Sequence, residues 1–174
     1  MRFLFRSQFL GYLILLIIGV LIALPYFTNT PHVDGPYTED AVVAAAGEYL
    51  DAQISENTEI NVLGYSSKDN WFLYWFRIGD SSHHTYVTVE FAKTKSGTLH
   101  PTGSHKPIDR GGDVASIPWF GGYFFMINTN KCTLLELITP EGTKNIPVNG
   151  IPFVYYIDCF PLSYRFLDDA QEEI

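Results

Sequence analysis

Between Ser7 and Val33 the chain carries no Asp, Glu, Lys or Arg, and the apolar run at 9–27, FLGYLILLIIGVLIALPYF, limits its fate more than any other feature. Coiled as a helix, that run reaches about 28 Å at ~1.5 Å per residue, close to the ~30 Å hydrocarbon core of a bilayer. A cleaved leader has a shorter apolar region and small residues before its cut site. Here the run ends Ile22-Ala23-Leu24-Pro25-Tyr26-Phe27, with no A-x-A-like site and no cysteine behind it to take a lipid. The expectation is an uncleaved transmembrane helix over 9–27, embedded in the lipid bilayer.

Charge sets its direction. Arg2 and Arg6 precede the run, and cations beside a membrane helix stay in the cytoplasm. The first charges beyond it are Asp34, Glu39 and Asp40. Residues 28–174 hold nine Lys and Arg against all 19 Asp and Glu, a charge of −10. The reading is therefore a cytoplasmic N-terminus at 1–8, a single span, a linker at 28–36 and an extracytoplasmic domain at 37–174. The acid excess also argues against nucleic acid as a partner, which calls for a basic footprint.

The linker TNTPHVDGP is rich in turn formers. Thr38 then suits an N-cap, with Glu39 and Asp40 at the positive end of the helix dipole. Val42, Val43, Ala46, Tyr49, Leu50 and Ile54 fall on one stripe, opposite Glu48, Asp51 and Ala52. From Glu59 onward the hydrophobic period changes to two. Strands are expected near 60–65, 71–78, 85–92, 123–127, 133–139, 144–148 and 153–159, with 164–167 a weaker candidate. Short turns between them imply antiparallel pairing. The stretch 94–118 reads as irregular and too long for a hairpin connection, so it is expected to wrap the sheet or to form a functional loop. The fold class is α+β: one amphipathic helix on a curved antiparallel sheet. In element order this is similar to cystatin-like, nuclear-transport-factor-like and PepSY-like domains, and no residue motif of those families is carried over.

Strand 71–78, WFLYWFRI, is apolar on both faces. Alternation puts Trp71, Leu73, Trp75 and Arg77 on one side, and Phe72, Tyr74, Phe76 and Ile78 on the other. A central strand covered by the helix and by loops explains this. The sharper reading makes Trp71, Trp75 and Trp119, with the 94–118 loop, a binding surface, because aromatic side chains bury much area at little entropic loss.

His83 and His84 share a turn, while His100 and His105 lie in the long loop with Asp109 and Asp113 beyond. H-E-x-x-H, paired C-x-x-C, G-x-S-x-G and the phosphate-binding glycine loop are all absent, so neither metal nor cofactor is expected. Glu90, Glu136 and Asp158 read as the polar side of half-exposed strands. Cys132 and Cys159 could pair in an oxidising compartment. Yet if 133–139, 144–148 and 153–159 form a simple meander, the two lie at opposite ends of the sheet, beyond the ~7 Å Cα limit, which leaves two free thiols as the alternative. The acidic C-terminus, LDDAQEEI, reads as a solvated tail.

The function expected is a membrane-anchored, non-enzymatic binding or regulatory domain whose partner is a protein or polymer of the envelope. The alternatives are a surface hydrolase using His105 and Asp109, or a structural subunit of a membrane complex.

Overall fold

The computed structural model describes residues 31, 33–35, 37–50, 58–80 and 82–174. The expected membrane helix lies outside them, as do Ile54 of the amphipathic stripe and most of the linker; among the described residues no helix is long and apolar enough to cross a membrane.

Thr38 caps helix α1 (Glu39–Leu50) as its sequence dictates: its Oγ1 accepts the Ala41 amide at 3.3 Å and its carbonyl accepts the Val42 amide at 3.1 Å. These bonds satisfy amides that the first turn leaves without intrahelical partners. Val42, Ala45, Ala46 and Leu50 form the buried face. Val33, placed in the linker by composition, exchanges two 2.8 Å backbone hydrogen bonds with Leu99 and is only 2% exposed, so the domain begins before the helix.

Among the described residues eleven strands follow, in three antiparallel sheets. The first holds β1 (Ile60–Lys68), β2 (Trp71–Gly79), β3 (His84–Lys93) and β4 (Leu99–His105) in that order. The second, ordered β10-β7-β6-β5, holds β5 (Ile108–Asp109), β6 (Val114–Trp119), β7 (Gly122–Ile127) and β10 (Phe153–Ile157). The third, ordered β11-β8-β9, holds β8 (Leu134–Thr139), β9 (Gly142–Pro147) and β11 (Ser163–Leu167). The α+β class stands, and α1 with β1–β4 keeps the expected order of one helix and a meander. The 94–118 stretch is not a loop: β4, β5 and most of β6 come from it. Its His, Ser, Thr and Gly content hides the strand period that β4 and β5 would otherwise show. Nor do β8, β9 and β10 form a simple meander, because β8 pairs with β9 while β10 pairs with β7.

The side-chain clusters show how the layers stack. Tyr74, Phe76, Ile78, Val89 and Phe91 of the first sheet pack under α1. Its other face, through Leu73, Trp75 and Tyr86, meets Ala115, Ile117, Trp119, Phe124 and Met126 of the second sheet. The far face of the second sheet, with Val114, Phe125, Ile127 and Ile157, meets Leu135, Leu137 and Phe166 of the third. The order is helix, sheet, sheet, sheet. Two sheets are thus internal, which explains the apolar runs of β2 and β7: each strand must offer grease to both sides. Fully burying one such side chain contributes about 1.5–3 kcal/mol.

The acidic C-terminus is not a free tail. Leu167 bridges to Glu173, and the Ile174 amide donates to the Phe166 carbonyl at 3.1 Å, folding the last residues back along β11.

Candidate functional site

The three tryptophans meet, but as core. Trp75 is 0% exposed and Trp119 6% exposed, enclosed between the first two sheets, and the cover over Trp75 is a second sheet, not a loop. Only Trp71, half-buried at the end of β2, reaches solvent. As a corrected expectation, Trp75 and Trp119 back the surface and cannot form it. The Trp119 indole N–H donates to Glu90 Oε2 at 2.8 Å, and Thr88 on the same face of β3 is fully buried. That polar side of β3 therefore faces the second sheet, with Thr88 enclosed and Glu90 half-buried.

At the end of β6, Trp119 pairs with Gly122 across a two-residue turn, Phe120-Gly121, with φ of 43° and 80°. Both positions are left-handed, as this hairpin type requires, and Asn or Gly is the usual choice at the first. A phenylalanine there costs roughly 1–2 kcal/mol. Among the described residues nothing folds over it: Phe120 is 43% exposed, its ring 5.9 Å from Trp71 and 5.0 Å from Trp119. Its carbonyl accepts from Lys68 Nζ at 3.2 Å and from the Tyr156 hydroxyl at 3.3 Å. Lys68 also pairs with Asp158, whose carboxyl that hydrogen bond holds below its ordinary range.

At the opposite end of β2 and β3 the chemistry is polar. His84 Nε2 and the Tyr86 hydroxyl both lie 2.8 Å from Asp113 Oδ1, and Asn128 Nδ2 donates to the Tyr86 hydroxyl at 3.4 Å. A carboxylate only accepts, so His84 and Tyr86 both donate to the one oxygen. His84 Nδ1 is buried without a hydrogen-bond partner. Burial opposes the charge on Asp113, but hydrogen bonds from His84 and Tyr86, with Arg77 nearby, outweigh it and hold the carboxyl below its usual range. Burial is the main cause that pushes the Tyr86 hydroxyl up to about 12. Asp113 itself has φ 63°, a left-handed conformation that Asp tolerates better than most residues.

Beside this cluster lies an open depression of about 820 Å³, walled by Thr58, Glu59, Gly79, Asp80, Ser82, His83 and His84 among others. Asp80 shapes its rim: Oδ1 accepts the Ser82 and His83 amides and the Ser82 hydroxyl, each at 2.7 Å.

The spacing of histidines and acids hinted at this meeting without fixing it. The chain brings His84 to Asp113, whereas His105 on β4 pairs with Thr88 and Asp109 on β5 accepts the Gly111 amide at 2.8 Å. Among the described residues no group of three metal-ligating side chains gathers. Cys132 is buried and Cys159 half-buried, both are free thiols, and burial pushes the Cys132 thiol up.

Comparison with protein-family models, with curated proteins and with solved structures gives no match for this chain.

Proposed function

We propose that this is a single-pass membrane protein, held by 9–27 with its N-terminus in the cytoplasm, whose extracytoplasmic α+β domain binds a polar ligand from the envelope in the depression beside His84. The charge-free run and the charges on either side of it support the anchor. The observation that carries binding over chemistry is the commitment of His84. Its Nε2 is engaged by Asp113 and Tyr86, and among the described residues no serine, threonine or cysteine hydrogen-bonds to it. Its other nitrogen, Nδ1, is the one left to take a proton, and it is buried with no hydrogen-bond partner, so the ring orients a wall. The remaining wall groups, Glu59, Asp80, Ser82 and His83, offer acceptors and donors to a hydrogen-bonding ligand.

The test uses the full chain in its own membrane, with a photoreactive side chain at His83 and, as control, at the exposed Thr143 of β9. A discrete adduct from His83 and none from Thr143 is expected, and protease added to sealed cells should digest the domain. No adduct at His83 removes the ligand site; a domain spared by protease removes the orientation.

A further inference from the structure

We propose that the aromatic end of the first two sheets is a contact for the lipid bilayer interface, with Phe120, Trp71, Phe160 and Leu162 seated among headgroups and upper acyl chains. This inference rests on the anchored reading above.

Four turns gather at that end. Lys68 of β1 pairs with Trp71 of β2, the Lys93 amide donates to the Asn70 carbonyl at 2.7 Å, and Trp71 touches the Phe120 hairpin. The 158–162 segment leaves β10 beside them, since Ile157 pairs with Tyr123 and Asp158 meets Lys68. Here Phe160 is 55% and Leu162 71% exposed. Exposed rings are what the interface selects, because it takes apolar area without demanding a shaped groove, and the neighbouring Lys68 cation is neutralised by its ion pair with Asp158. The opposite end of the same strands shows Asp80, His83, His84 and Asp113 instead.

Two observations choose lipid over a protein partner. The first is reach. Val33 is pinned to Leu99 at this same end, and Leu99 pairs with Lys93. Only five residues stand between Phe27 and Val33, at most ~20 Å of extended chain. The second is the turn. Phe120 occupies a position where glycine fits better, so the hairpin keeps its aromatic side chain outward against local preference.

The full-length protein, reconstituted into phosphatidylcholine vesicles with brominated acyl chains, tests this, because bromine quenches indole fluorescence on contact. Part of the emission should be quenched. Trp71→Phe should abolish the quenching, since Trp75 and Trp119 are enclosed, and Phe120→Gly should lower it severalfold without lowering the thermal midpoint. Flotation of the same vesicles reads the anchor independently. A chain that floats with unquenched emission, or quenching that survives both substitutions, overturns the lipid contact and leaves the anchor standing. A chain that does not float removes both. Disulfide dimers of Phe120→Cys in a Cys159→Ser background, or a photoreactive side chain at 120 that labels protein and not lipid, also overturn it.

Discussion

Asp113 and Phe120 are two of the four described non-glycine residues, with Asp69 and Gln171, that hold a left-handed backbone. Asp113 accepts both His84 and Tyr86, and its folded carboxyl titrates below the unfolded one. A lowered folded value means its contribution is complete above the unfolded value near ~4 and is lost as pH falls through the lower folded one. Thermal midpoints measured across that acid range should fall for the parent. They should fall less for Asp113→Asn, which keeps the left-handed backbone but cannot titrate. At neutral pH the same variant should be less stable by roughly 1 kcal/mol, a small loss because the carboxylate is partly exposed. Phe120→Gly runs the other way. Glycine accepts φ 43° freely, so chemical denaturation should report a gain of about 1 kcal/mol. A loss instead would mean that the ring contacts with Trp71 and Trp119 outweigh the backbone relief.

Among the elements, β7 is central: it pairs with β6 and with β10 and presents Phe124 and Met126 to one core, Phe125 and Ile127 to the other. Gly122 opens it, and a Cβ there would collide with the Ile157 carbonyl oxygen of β10. Gly122→Ala therefore forces the two backbones apart and should cost about 1–3 kcal/mol. Amide hydrogen exchange should show the loss first in β10. Wild-type exchange should be slowest in β2, β3 and β7, whose two faces are covered, and fast in β9, an edge strand with almost every residue exposed. The same double coverage explains what periodicity could and could not read. A run such as WFLYWFRI announces a buried strand. It cannot say whether its second cover is a loop or another sheet.

Over the whole domain, β2 and β3 are shared between the helix-side core and the inter-sheet core, and β6, β7 and β10 between the latter and the third core. Layers that share strands have no independent cores to melt separately. Unfolding followed by tryptophan emission, from the inter-sheet core, and by far-UV dichroism should therefore superimpose as one transition. Separate midpoints would mean the third sheet melts alone. Thiol labelling offers a second check: Cys159 should react well before Cys132, whose burial raises its pKa and blocks the reagent.

The order of charge and grease along the chain was enough to predict the Thr38 cap, the apolar stripe of α1 and the two-faced strand β2, because each depends on neighbours a few residues away. Pairing was another matter. Nothing local tells β10 to join β7 instead of β9, or brings Asp113 from one turn to His84 in another, since these are contests among distant surfaces for the same cover. The tryptophans illustrate the division: their composition marked a place of consequence, and only the stacking of one sheet on the next decided that Trp75 and Trp119 lie inside while Trp71 and Phe120 face out.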